Sequence, residues 1–307
     1  MREANLGLLY GVAAYLFWGV IPIYWKQLSH ISALELLAHR VVWAVFAFGA
    51  AVMVRRRGDA VRAALRDRRV RWTLVLSAAL LSINWLTFIY AINTNRLLHA
   101  SLGYFINPLV SVVLGMVFLR ERLRPLEWAA VAFAAAGVLQ LGLQASAFPW
   151  ISLVLAGSFG FYGLLRKTVR VDALPGSSIE VMLVAPACAI YLAVLAGRGD
   201  GQLGHTGLQM HLLLLASGTI TMAPLVWFAN AARRLTLATI GFLQYLAPTG
   251  QFLLAVFLWD EPFAGVQARS FACIWIGLAI FSIERVRQGV TFLPPNSVKS
   301  KAKPGRS

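Results

Sequence analysis

The stretch LLHASLGYFINPLVSVVLGMVFLRERL (97–123) decides the fold, because the chain uses its pattern twice. The second copy is LTLATIGFLQYLAPTGQFLLAVFLWDEPFAG (235–265). With the two set 140 positions apart, Pro108 meets Pro248, Glu121 meets Glu261 and, further along, Gly137 meets Gly277. Each copy runs from small and polar residues through a proline into an apolar stretch that ends at a glutamate. Each lies in a segment long enough to cross a bilayer, which takes about 20 apolar helical residues. A proline in mid-span breaks the backbone hydrogen-bond ladder, and membrane helices tolerate this chiefly where neighbours or a cavity re-satisfy the freed groups. Two matched, interrupted segments point to the binding site of a carrier.

Composition agrees. The chain of 307 residues is 59% hydrophobic and only 13% charged, with a mean hydropathy of +0.70. Soluble domains carry about a quarter charged residues. The formal charge of +16 is not a nucleic-acid signature, because the basic residues sit in short gaps between apolar runs. Cys188 and Cys273 both lie in apolar runs and read as packing residues. The start, MREANLGLLYGVAAYLFWGVIPIYWK (1–26), has too long an apolar run and no A-x-A site for a signal peptide, so it reads as a first span.

Ten spans are expected, at about 6–25, 35–54, 72–93, 98–118, 126–143, 149–166, 178–197, 211–231, 236–258 and 266–284. Charge supports that number. The start, alternate gaps and the tail hold 23 of the 28 Lys and Arg residues, including eight arginines within 55–71, whereas the other gaps hold only Lys26, Arg96, Arg198 and Arg269. By the positive-inside rule both termini are expected in the cytoplasm. The pattern predicts two five-helix repeats, 1–146 and 147–288, followed by a disordered cytoplasmic tail, 289–307. Five is odd, so the second repeat is inverted. Fainter echoes agree: Phe17-Trp18-Gly19 with Phe161-Tyr162-Gly163, and the face Asn84, Phe88, Ala91, Asn95 with the face Thr219, Ala223, Val226, Asn230. The fold class is therefore an all-α polytopic membrane protein with ten transmembrane helices in two inverted repeats.

Several stretches resemble the RarD-type permeases of the EamA family, within the drug/metabolite transporter superfamily. They are IPIYWKQLSHISALELLAHRVVWAV (21–45), INWLTFIYAIN (83–93), SLGYFINPLVSVVLGMVFLRERL (101–123), FGFYGLLRKTVRVDALPG (159–176) and GFLQYLAPTGQFLLAVFLWDEPF (241–263). The resemblance runs over roughly 6–286. It implies a multi-pass inner-membrane permease that moves a small organic solute such as an amphipathic metabolite, amino acid or drug.

Within the spans, Arg40 is the most informative residue. It is the only Lys or Arg read as lying well inside a span, about 7–8 Å from its outer end. An arginine at such depth is costly, so it should face a cavity or a partner. An anionic solute is one candidate, with Trp43 one turn inward to stack on it, and a structural partner such as Glu35 is the other. His99, Gly103, Asn107, Ser111 and Gly115 recur every four residues and tilt across one helix face. The expected substrate-binding set is Arg40, Trp43, Asn84, Trp85, Tyr104, Asn107, Gln244 and Tyr245. Pro108 and Pro248 are the expected gates, and His39 and His99 the candidate proton-responsive groups.

No Walker A sequence and no HExxH or His/Cys cluster is present in the chain. The reading therefore has no catalytic residue, metal or cofactor, and no nucleic-acid partner; its partners are a small-molecule solute and the lipid bilayer. Glu35, Glu127, Glu180 and Glu284 are placed at span ends, as interface or helix-end residues. Alternating access without ATP hydrolysis is the expected mechanism. A flippase for a lipid-linked substrate is the rival within transport, and an intramembrane enzyme the rival outside it.

Overall fold

The computed structural model describes residues 2–94, 96–143, 148–202, 207–260 and 265–287. Among them every regular element is a helix. Helix α1 (Arg2–Val20) is followed at once by α2 (Pro22–Gln27), then α3 (Ala33–Val54), a short α4 (Gly58–Arg66), α5 (Arg68–Asn93), α6 (Leu97–Leu119) and α7 (Pro125–Gly142). The rest of the chain forms α8 (Trp150–Thr168), α9 (Ala173–Arg198), α10 (Leu208–Arg234), α11 (Leu237–Gln244), α12 (Leu246–Leu258) and α13 (Gly265–Arg287).

The boundaries follow local chemistry. Pro22 has no N–H to give, so it ends α1 and opens α2. Ser32 caps α3 through a bond from Glu35 N, and Thr236 caps α11 through a bond from Thr239 N. Pro125 starts α7, where the Glu127 carboxylate reaches back to Arg124 N at 2.9 Å. Arg120 ends α6 in the left-handed region, and Gly199 does the same for α9.

Eight helical stretches among the described residues are long and apolar enough to cross a membrane. They match eight of the ten expected spans. The stretches expected at 149–166 and 266–284 are helical too, as α8 and α13, but fall outside the eight. In α8 three glycines, Ser152, Ser158 and the Arg166–Lys167 pair dilute the apolar run. Large apolar side chains such as Leu9, Met53 and Phe257 point outward, as a bundle solvated by lipid requires.

Two expectations are corrected. The prolines were expected to interrupt both of the matched segments. Helix α6 runs through Pro108 without a break, and only the second segment is divided, at Tyr245 between α11 and α12. Pro248 sits in the first turn of α12, where a missing N–H costs least. Pro186 and Pro224 also lie inside helices, so an internal proline is not special to the pair. Secondly, the basic gap 55–71 contains α4, whose Ala64 packs with Val70, Leu74, Val169, Val171 and Ile179. Asn95, Glu261 and the tail 289–307 lie outside the described residues.

Packing crosses between the earlier and later parts of the chain. Helix α1 lies against α10 and α12, α3 against α9 and α10, α5 and α6 against α8, and α7 against α13. The α7·α13 crossing is reciprocal. A Cβ added at Gly137 would lie 2.6 Å from the carbonyl oxygen of Ser270, and one at Gly277 would lie 2.7 Å from that of Ala130. Both pairs of counterparts, Gly137 with Gly277 and Ala130 with Ser270, are 140 positions apart. The same holds for the next neighbours, Cys273 and Ile274 against Phe133 and Ala134. Tyr245 donates to the carbonyl of Phe105, its own counterpart at that spacing, at 3.3 Å.

Backbone oxygen cannot retreat from a new methyl as a flexible side chain can. Gly137→Ala and Gly277→Ala should therefore each cost about 1–3 kcal/mol by overpacking. Gly142 has nothing within 4 Å of the same position. Melting in detergent should place both crossing variants well below Gly142→Ala; equal melting temperatures for all three would refute the close crossing.

Candidate functional site

Arg40 is the eighth residue of α3 and projects into the junction of four other helices. Its guanidinium carbon lies 4.9 Å from the ring centre of Trp25 on α2 and 5.4 Å from that of Trp85 on α5. Its Nε donates to Thr221 Oγ1 on α10 at 3.3 Å. The hydroxyls of Tyr24 on α2 and Tyr104 on α6 are near enough to act on its charge. An arginine carries five N–H donors, and only the Nε one finds an acceptor among the described residues.

Nor does a carboxylate pair with Arg40 among them. The expected alternative partner, Glu35, is engaged elsewhere: it accepts from Gln202 N at 2.7 Å and stands 3.8 Å from His39 Nε2. Removing a cation from water costs several kcal/mol. Each face-on aromatic ring returns about 0.5–2 kcal/mol. The aromatic surround thus holds the charge without neutralising it, and leaves its planar fork free for an anion.

The other expected site residues divide. Trp85 and Tyr104 join Arg40. Trp43 does not: its ring packs on Phe46 at 5.5 Å, its backbone lies against Gly218, and its buried Nε1 has no acceptor. The Asn84 amide is spent on α8, donating to the Leu155 carbonyl at 3.0 Å and to Ser158 Oγ at 3.1 Å. Asn107 Oδ1 and Gln244 Oε1 are buried without a donor, so these two remain unsatisfied polar groups. Tyr245 is buried with its hydroxyl on Phe105. Pro108 and Pro248 are both buried, and the Pro108 carbonyl faces Gly241. His39 is buried with no hydrogen bond to either ring nitrogen; the half-buried His99 takes a hydrogen bond from Ser152 on its carbonyl.

Sequence reasoning missed Trp25 and Thr221. It also took Arg166 for a gap residue and Glu180 for an interface residue. Both are corrected: Arg166 is 0% and Glu180 1% exposed. They pair at 3.4 Å, with Ser77 and Tyr162 donating to the same carboxylate and the Ala173 carbonyl accepting from Arg166. The signal was available, since Glu180 is the only charged residue between Asp172 and Arg198.

Further ties cross the same end of the bundle. Arg234 meets Glu3 at 2.9 Å, and Asp172 takes both Arg233 at 2.7 Å and Arg57 at 3.3 Å. Glu121 caps α11, accepting from Leu237 N and Ala238 N at 2.9 and 3.2 Å. Lys167 donates to the Leu235 carbonyl.

Trp85, one of the rings around Arg40, also lines a cavity of about 490 Å³ between α3, α5 and α9. Its wall is almost wholly apolar, with Leu37, Ala38, Ala78, Val184 and Trp85 among the lining residues.

A helical bundle with lipid-facing apolar sides and a cation among aromatic rings between its helices, with no carboxylate on it among the described residues, is the frame of a multi-pass membrane carrier. Residues 5–143 match the model of the EamA-like transporter family. An "Uncharacterized transporter" of Vibrio cholerae serotype O1 is 46% identical over 291 residues, covering 94% of this chain and 95% of that protein. "Protein RarD" of Escherichia coli (strain K12) is 42% identical over 285 residues, covering 93% and 96%. A solved chain described as "Crystal structure of protein" shares the fold, with a TM-score of 0.71 at 20% identity over 93% of this chain and 98% of its own. The chain belongs to the EamA-like transporter family, as a RarD-type permease.

Asp172 lies between α8 and α9. The hydrogen bond from Arg233, together with the charges of Arg233, Arg57 and Arg234, holds its carboxyl below the usual carboxylate range, against the opposing effect of partial burial. A depressed folded value stabilises above the unfolded value, near pH ~4, and that contribution is lost as pH falls through the folded one. The melting temperature of the wild type should therefore fall more steeply than that of Asp172→Asn as the medium is acidified below about pH 4. Parallel curves would show that the clamp contributes nothing.

Proposed function

We propose that this chain is an inner-membrane permease that moves a small, amphipathic organic solute bearing an anionic or zwitterionic head group. The observation that carries this is Arg40, held in an aromatic surround with no carboxylate among the described residues. The solute head is its counter-ion. Trp85, Tyr104, Trp25 and Thr221 shape the seat. His39 and His99 are not needed for this cycle, which runs down the solute's gradient without ATP hydrolysis.

The transport mechanism proposed is alternating access between two inverted five-helix repeats, 1–146 and 147–288, with ten crossings and both termini cytoplasmic. The reciprocal contacts of Gly137 and Gly277, and the Tyr245–Phe105 bond, support such a two-fold relation. The ties of Glu3, Arg57, Glu121, Lys167 and Asp172 gather on the basic end, which supports a state closed towards the cytoplasm. Under this reading those ties break and reform in each cycle, and the division between α11 and α12 near Pro248 is the moving joint. A flippase for a lipid-linked substrate is a second reading, favoured by the apolar cavity beside Trp85.

Two experiments test the proposal. In proteoliposomes, Arg40→Lys should slow uptake of anionic amphiphiles and Arg40→Ala should slow it by about ten-fold or more, the worth of a charge-assisted hydrogen bond. Arg40→Ala melting far lower yet transporting normally per folded molecule would make the residue structural. For topology, a cysteine at Ala63 should resist impermeant reagent in intact cells and one at Gln202 should react. The reverse pattern would overturn both orientation and inversion.

A further inference from the structure

The cavity between α3, α5 and α9 is not enclosed by protein. Its rim includes Leu86 and Leu183, which are 54% and 46% exposed on the outer surface of the bundle. That surface is the one the apolar helices present to lipid, so the opening is sideways, into the bilayer core. At its inner end stands Trp85. One face of this indole lies 5.4 Å from the guanidinium of Arg40, while the residue also lines the cavity. A single ring thus separates an apolar slot from an unneutralised cation. The volume of about 490 Å³ falls within the ~300–1,000 Å³ of small-molecule sites, which pair an apolar wall with a few placed polar groups.

We infer that the slot between α3, α5 and α9 seats the alkyl or aryl tail of an anionic amphiphile whose carboxylate rests on Arg40, and that this ligand enters laterally from the membrane. The inference rests on the proposed anion site and adds the tail, its seat and its route. A neutral lipid chain would satisfy the slot alone. The adjacent unpaired charge selects an occupant with a negative head, because burying that head against a guanidinium relieves the cost of both ions. Binding energy then comes from two places: each buried methylene adds ~0.8 kcal/mol, and the head adds a charge-assisted bond.

The test uses the full chain in nanodiscs of a neutral phosphatidylcholine and follows tryptophan fluorescence. Three nitroxide quenchers separate the contributions. They are 5-doxyl-stearate, with tail and charge; its methyl ester, with tail alone; and carboxy-TEMPO, with charge alone. Quenching by empty-nanodisc partitioning is measured with the soluble indole of a tryptophan ester and subtracted. The acid should quench saturably, with a half-saturation at least about ten-fold below either control. Trp85→Phe should remove a large share of the quenched signal. Arg40→Gln should bring the acid to the level of its ester. Val184→Phe and, from the facing wall, Ser82→Phe should fill the slot and bring the acid to the level of carboxy-TEMPO, in whichever of the two melts like wild type. If acid and ester bind alike and Arg40→Gln changes nothing, the slot holds an ordinary lipid chain and the inference fails. If acid and carboxy-TEMPO bind alike, both depending on Arg40, the anion site stands and the tail seat alone is wrong. If none quenches saturably, the anion site fails as well.

Discussion

Everything in this bundle depends on how closely two helix backbones can approach without water to drive them together. Lipid tails are as apolar as leucine, so side-chain burial gives helices little reason to associate inside a membrane. What remains is dispersion at short range and hydrogen bonds across the crossing. The chain obtains both by placing small residues where helices meet. Gly137 and Gly277 admit the carbonyls of Ser270 and Ala130, Gly241 admits that of Pro108, and Gly19 and Gly250 meet face to face. Asn84 then ties α5 to α8, and Glu121 ties the end of α6 to the start of α11. Only after these approaches are fixed can the rings around Arg40 sit at their observed distances, since they are supplied by separate helices.

Much of this was legible in the chain. The 140-residue offset marked Gly137 and Gly277 as equivalent, and the two occupy mirrored positions in one crossing. Arg40 was visible because a charge inside an apolar run has no local reason to be there. Trp85 followed from being a deep aromatic, and Tyr104 from lying with His99 and Asn107 on one helix. What failed did so for identifiable reasons. Trp25 was hidden because a proline at position 22 redirects the chain, and sequence spacing across such a break says little about which way a ring points. Trp43 lies one turn from Arg40 on the same side of α3, but its ring packs on Phe46 a further turn along, a rotamer choice that spacing does not reveal. Asn84 looked like a ligand because an amide can serve either purpose, and only its partners on α8 decide between them. Arg166 and Glu180 were placed by counting residues from span ends, whereas burial depends on what α5 brings alongside.

The contrast between Arg166 and Arg40 bears on how each is used. Arg166 has a carboxylate, a carbonyl and a sealed surround, and Gly176 leaves room for its guanidinium. Its charge is neutralised within the protein, although the buried Nε finds no acceptor among the described residues, and removing either partner would strand the other charge. Arg40 has aromatic faces, one hydroxyl and free donors. The first arrangement holds helices in place; the second has capacity left over. A ligand-exchanging site needs that incompleteness, because a cation already satisfied has no affinity to offer.

The interleaving of the two parts of the chain has a consequence for biosynthesis. Helix α1 packs mainly on α10 and α12, and α7 on α13. These partners are made long after their mates have left the ribosome; at ~5–20 residues per second, α1 waits on the order of 10–40 s for α10. During that interval α5 and α6 can already meet α8, whereas α1 and the side of Arg40 that faces Thr221 stay in contact with lipid or with the insertion machinery. Closure of the bundle is therefore late, because α1 and α7 meet their main partners only in the last third of the chain. A nascent chain halted before α10 holds α1 and α7 without their main partners, a natural substrate for membrane quality control.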